Sequence, residues 1–169
     1  MNIRRTGQGM ITASMIGGMA LLTYFFSEFE DGKNNPNRSP ETQVFANSIE
    51  VALQRNRQGH YLVGGQINKK EVIFLLDTGA TDVVIPESTA RALRLPYGRK
   101  GLAMTANGSI TVHETRIREL QIGKIVLHDI KASINPGMSD GAILLGMSAL
   151  SQIEFSQSGS TLTLRQKFI

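Results

Sequence analysis

The chain has 169 residues, 41% of them hydrophobic and 6% aromatic, with 17 glycines and no cysteine. That length suits one domain of about 100–150 residues plus an appendage, the glycines favour turns and strands over a large helical bundle, and the missing cysteines exclude disulfides and thiolate metal sites. The formal charge of +4 is modest and dispersed, with 14 Lys and Arg against 11 Asp and Glu beyond residue 40, so Lys69-Lys70 and Arg91 to Lys100 read as solvated faces and no nucleic-acid partner is expected.

No charged residue occurs between Thr6 and Ser27, a stretch of 22 residues. A helix of that length spans roughly 33 Å, enough for a hydrocarbon core of about 30 Å. The run is only moderately apolar in its first third and strongly apolar from Ile11 to Phe26. Arg4 and Arg5 precede it, while Glu28, Glu30 and Asp31 follow. The expectation is a transmembrane anchor over residues 1–27, with the basic flank cytoplasmic and the rest of the chain across the membrane. A cleaved signal peptide is the rival, but "LLTYFFSEFEDG" puts aromatics where small residues should stand. Ala13 with Gly17 and Ser14 with Gly18 are small pairs four apart that would let two helices approach, or are simply part of a weak anchor.

The segment "SEFEDGKNNPNRSP" is polar and rich in Asn, Pro and Gly, and residues 28–42 are expected to be a flexible tether. Residues 43–169 form the expected folded domain. "IEVALQ" alternates, and "HYLVGGQI" and "EVIFLLD" flank the short connection at Asn68-Lys69-Lys70, which suits a hairpin. "DVVIP" is a further strand, and "ESTARALRL" is the clearest helix, with Ala90, Leu93 and Ala92 on its inner side. "LAMTANGSITVHE" is a hairpin with Asn107-Gly108 at its tip. "TRIRELQIG" and "KIVLHDIKASI" are two more strands, "AILLG" is apolar, "MSALSQI" suits a short helix, and "STLTLRQ" alternates to the end. Many short strands with one or two small helices imply an all-β, barrel-like domain.

Most chemical motifs are incomplete. His113-Glu114 lacks the second histidine of a zincin and lies in an expected strand, so no metal site is expected. "GMSAL" at 146–150 begins like a nucleophile elbow but lacks its closing glycine, and no histidine follows it as base. There is no Walker or dinucleotide fingerprint. Asp77 remains. It ends the apolar run Val72 to Leu76, which is typical of a strand buried on both faces, and Thr-Gly-Ala follows it. Alone, this reads equally as an Asx-turn closing a strand.

Taken in order, "VIFLLDTGA", "DVVIP", "MTANGSI" and "AILLG" resemble the retropepsin-like aspartic proteases, the single-lobe relatives of pepsin, and look closest to a bacterial membrane-anchored branch. The resemblance covers roughly residues 58 to 165, with about 30 residues from Asp77 to the hairpin tip and 69 from Asp77 to Gly146. It implies a single-lobe acid-protease barrel in which Asp77 is catalytic, Thr78 locks two active-site loops together and Gly79 brings backbone close to substrate. It also implies that Ala80, Leu144, Leu145 and Gly146 support the loop. Met104, Thr105, Ala106, Asn107, Gly108, Ser109 and Ile110 would form the flap that closes over a bound peptide. Retroviral members usually carry an aspartate two residues after the signature glycine and an arginine after the later one. Here those positions are Thr81 and Met147, so both charges are absent together, as expected if the pair is exchanged as a unit.

Aspartic proteases need two carboxylates about 3 Å apart sharing one proton. Asp140, Asp82 and Asp129 are poor second members on sequence grounds. Asp140 follows no apolar strand, Asp82 is too close to the signature, and Asp129 lies mid-strand with an outward position expected. The economical expectation is a symmetric homodimer with Asp77 from each chain on the two-fold axis, helped by co-anchoring in one membrane. The expected function is therefore a membrane-anchored aspartic endopeptidase acting on polypeptides, needing no cofactor. Its expected place is the bacterial inner membrane, single-pass, with a cytoplasmic N-terminus and a periplasmic protease domain. The alternative is a membrane-tethered binding domain of the same fold that cleaves nothing.

Overall fold

In the computed structural model, which describes residues 3–105, 108–138 and 141–168, the uncharged run lies in helix α1 (Ile3–Asn34). The helix forms, yet among the described residues no helix is long and apolar enough to cross a membrane. The transmembrane expectation for residues 1–27 is corrected to that extent. Thr12, Ser14, Gly17, Gly18 and Thr23 dilute the apolar stretch, and the helix continues through the charged residues after Ser27 instead of stopping there.

The second unit begins at Asn35, within the segment expected to be a tether. Residues 35–40 are not free of the fold, because Asn35 and Asn37 are buried. The Asn37 side chain donates to the carbonyls of Gln54 (2.9 Å) and Leu62 (2.7 Å) and accepts the Gln54 N–H. Its carbonyl accepts the Gly64 N–H at 3.0 Å. A side chain at position 64 would collide with the Arg38 carbonyl, so glycine there lets this arm lie directly on the barrel. The Asn37 amide side chain and carbonyl oxygen thus satisfy main-chain groups of Gln54, Leu62 and Gly64, while its own N–H donates to Asn35 Oδ1 at 3.1 Å.

Strands β1 (Thr42–Val44) and β2 (Ser48–Gln54) open the chain's strand run; β3 (Leu62–Ile67) and β4 (Lys70–Leu76) form the expected hairpin. Asn68 and Lys69 both take positive φ at its turn, as a two-residue turn matching strand twist requires. β5 (Val83–Pro86) leads directly into α2 (Glu87–Leu93), which buries Ala90 and Leu93 but leaves Ala92 exposed, contrary to expectation. β6 (Lys100–Thr105) and β7 (Gly108–Ile122) follow, with β7 one continuous strand where two were expected. The rest is β8 (Ile125–Asn135), β9 (Ile143–Leu145), α3 (Met147–Leu150), β10 (Glu154–Ser158) and β11 (Thr161–Lys167).

These strands make two sheets, β1-β2-β11-β10 and β3-β4-β9-β5-β8-β7-β6. An added pairing of β3 with β7, through Gln66 with Gln121 and Ile67 with Leu120, closes the second sheet on itself. Closure removes two sheet edges and encloses a core of Val63, Phe74, Ile85, Ile117, Ile130 and Leu145, all essentially inaccessible. The all-β, barrel-like expectation for this unit holds. Residues 108–113 of β7 pair with β6, whereas 113–122 pair with β8, so the β6–β7 hairpin extends out of the closed ring.

Candidate active site

β4 runs parallel to β9 with Leu76 opposite Leu145, and β5 runs antiparallel to β9 with Val84 opposite Leu144. The chain between Leu76 and Val83 must therefore cross from one side of β9 to the other. That crossing is the Asp77 loop. Its first residue is pinned, because the Asp77 N–H donates to the Leu145 carbonyl at 3.2 Å. The loop passes over Gly146, where a Cβ would stand 2.7 Å from the Ala80 carbonyl oxygen and closer still to that of Asp82. Only glycine allows that approach. Of the expected support residues, Leu145 is thus brought against Asp77 and Gly146 against Ala80, while Leu144 pairs with Leu75 and Val84.

Within the loop, the Gly79 N–H donates to Asp77 Oδ1 (2.9 Å) and the Ala80 N–H donates to the Asp77 carbonyl (3.2 Å). The Asx-turn reading of this sequence is therefore correct as local geometry, and it leaves Oδ2 with no partner among the described residues. Asp77 is partly exposed, while Thr78 and Gly79 are exposed. Among the described residues the Thr78 side chain has no hydrogen-bond partner.

Asp82 forms an ion pair with Lys131 at 3.1 Å, and Asp129 is exposed and paired with Arg116. Neither faces Asp77 as a second carboxylate, and Asp140 lies outside the described residues. The flap hairpin has Met104 opposite Ser109 and Thr105 opposite Gly108. Met104 is 83% exposed, and Ile110 is partly buried. Ala106 and Asn107, at the tip, lie outside the described residues. No hydrogen bond joins this hairpin to the Asp77 loop among the described residues.

Two loop-supporting residues, Ser148 and Lys131, escape sequence reasoning. The Met147 and Ser148 amides donate to the Ala80 (2.8 Å) and Thr81 (2.9 Å) carbonyls. The Ser148 hydroxyl accepts the Val83 N–H (3.0 Å) and donates to the Lys131 carbonyl (2.7 Å). Met147 packs against the core. The Asp82–Lys131 pair supplies an ion pair one residue beyond Thr81. The Gly-Met-Ser start of α3, beside a strand, was the available signal for Ser148, although as a nucleophile elbow it is incomplete.

A family model described as gag-polyprotein putative aspartyl protease matches residues 63–152, just over half the chain. An uncharacterized protein in the cobV 5′ region of Sinorhizobium sp. is 28% identical over 166 residues, covering 90% of this chain and 71% of that protein. An uncharacterized protein of Rickettsia prowazekii (strain Madrid E) is 30% identical over 110 residues, covering 62% of this chain and 46% of that protein. The crystal structure of a retropepsin-like aspartic protease from Rickettsia conorii superposes with a TM-score of 0.60 at 29% identity, covering 76% of this chain and 96% of that one. The matched span runs from β3 past α3 and takes in the Asp77 loop, the hairpin and the Gly146 support, and on that agreement the chain belongs to the gag-polyprotein putative aspartyl protease family, with a retropepsin-like fold.

Proposed function

We propose that this chain is an aspartic endopeptidase whose active site is assembled from two copies of Asp77 in a symmetric homodimer. The observation that carries the proposal is the Asp77 loop itself: a carboxylate fixed through its own main chain to β9, partly exposed, with no second carboxylate facing it among the described residues. Exposed Thr78, without a hydrogen-bond partner among the described residues, is what a loop made to meet its two-fold mate would present.

In the dimer the two Asp77 carboxylates share one proton, because like charges so close do not both ionise. The ionised member takes a proton from a water molecule, whose oxygen attacks the scissile carbonyl. The protonated member hydrogen-bonds the carbonyl oxygen as it gains charge. The resulting tetrahedral intermediate collapses with proton transfer to the leaving amine. No side chain is acylated, and no cofactor is needed. The β6–β7 hairpin acts as the flap, covering the peptide and excluding water.

Association with a bacterial inner membrane through the N-terminal helix is the finer part of this proposal. It is supported by the charge-free run from Thr6 to Ser27 behind Arg4 and Arg5. Alkaline extraction of membranes tests it: retention in the pellet supports it and release into the supernatant contradicts it. The activity is tested by incubating the protein with a denatured substrate protein across roughly pH 3 to 7. New peptide termini that vanish with a transition-state-type inhibitor support an endopeptidase, and peptides bound but left intact point instead to a binding domain.

A further inference from the structure

We infer that Ser148 is a positioning residue for Asp77, acting as a two-way hydrogen-bonded clamp that fixes where the catalytic loop re-enters the barrel. This rests on the aspartic-protease reading above. The loop is held at its start by the Asp77 N–H bond to Leu145, but that bond alone does not set its height over Gly146. Its far end does. Three consecutive features of the chain after β9 meet it there: the Met147 N–H on the Ala80 carbonyl, the Ser148 N–H on the Thr81 carbonyl, and the Ser148 hydroxyl on the Val83 N–H.

The hydroxyl matters because it is used in both directions. A serine oxygen that only accepts rotates freely, whereas one that also donates has its rotor fixed. Here it donates to the Lys131 carbonyl at 2.7 Å, so the loop end, α3 and β8 are tied at one atom. Val83 is fully buried, and its residue pairing is with Ala132 of β8. Deleting Oγ leaves the Val83 N–H and the Lys131 carbonyl without the atom that joins them. Lys131 closes the circuit from the other side, since its ammonium pairs with Asp82 in the same loop. The chain thus braces the stretch between Ala80 and Val83 by main-chain bonds, one hydroxyl and one ion pair.

The consequence is geometric. Two Asp77 carboxylates must meet at a separation that keeps one shared proton, and a loop that rides up or sideways on Gly146 changes it. A displacement of about 1 Å at a catalytic group can lower turnover on the order of a hundredfold.

The test compares full-length wild type, Ser148→Ala, Ser148→Thr and Asp77→Asn, using a peptide that wild type cleaves, well below each variant's melting temperature. For Ser148→Ala the expected result is a kcat lower by about 10- to 100-fold with KM within about threefold. Hydrogen exchange at the Val83 amide should speed up by at least about tenfold. The pH window of maximal kcat/KM should narrow, because carboxylates held farther apart couple less strongly. Ser148→Thr, which restores Oγ, should recover most of the loss. A Ser148→Ala kcat within about twofold of wild type, or an unchanged pH window despite faster Val83 exchange, overturns the inference and leaves Ser148 as packing only. Cleavage that Asp77→Asn does not abolish overturns the underlying protease reading instead, whatever Ser148 does.

Discussion

The main-chain N–H of Asp77 donates to the carbonyl of Leu145, a residue 68 positions later in the chain. The position of the carboxylate is therefore set by the parallel pairing of β4 with β9 and not by its own turn alone. Gly146, directly after that carbonyl, is where the loop crosses. Gly146→Ala places a methyl group against two carbonyl oxygens that cannot move without disturbing the loop. The expected cost is about 1–3 kcal/mol or more, read from denaturant midpoints, together with a loss of cleavage larger than the loss of folded protein.

Asp77→Asn should leave the fold intact. The Asx-turn uses Oδ1 as an acceptor for the Gly79 N–H, and an amide oxygen serves equally well. Stability is expected within about 0.5 kcal/mol of wild type, with cleavage abolished because an amide cannot share or accept the catalytic proton. A thermal melt alongside a cleavage assay checks both halves.

Asn37→Ala probes the arm that the composition alone suggests is a tether. Its loss leaves the Gln54 N–H, the Gln54 carbonyl and the Leu62 carbonyl without their partner. A destabilisation of about 2–3 kcal/mol is expected. A chain starting at residue 43 should be destabilised at least as much, whereas one starting at residue 35 should melt like the full protein unit.

The ion cluster on β10 and β11 gives a pH prediction away from the site. The hydrogen bond from Lys167, joined by the charges of Lys167 and Arg165, holds the Glu154 carboxyl below its ordinary 4.5. A lowered folded value means that this group favours the fold above its unfolded pKa and stops doing so as pH falls through the folded one. Glu154 is exposed, so its effect is to be read by NMR titration: Lys167→Met should raise the Glu154 midpoint toward 4.5.

Much of the site was legible because it is written in local patterns. The apolar run ending in Asp77, the turn at Asn68-Lys69 and the apolar triplet before Gly146 all carry short-range signals. What escaped was non-local or polar. Asn37 is buried among main-chain groups, which leaves no hydrophobic period to read. All five residues of β10 are exposed, so alternation is absent there. Thr115, a buried polar residue within β7, interrupts its pattern and divides one strand into two on paper. Ser148 acts through a hydroxyl whose partners come from β5 and β8, a relation that only the folded chain creates.

Mixing wild type with Asp77→Asn tests most directly whether one active site is built from two chains. After exchange at equal amounts, random pairing leaves about one quarter of dimers with two aspartates. Activity should fall to about a quarter of that of the same total protein as wild type. A fall to one half, in strict proportion to the wild-type chain present, would show that each chain carries a complete site and would contradict a site built from two chains.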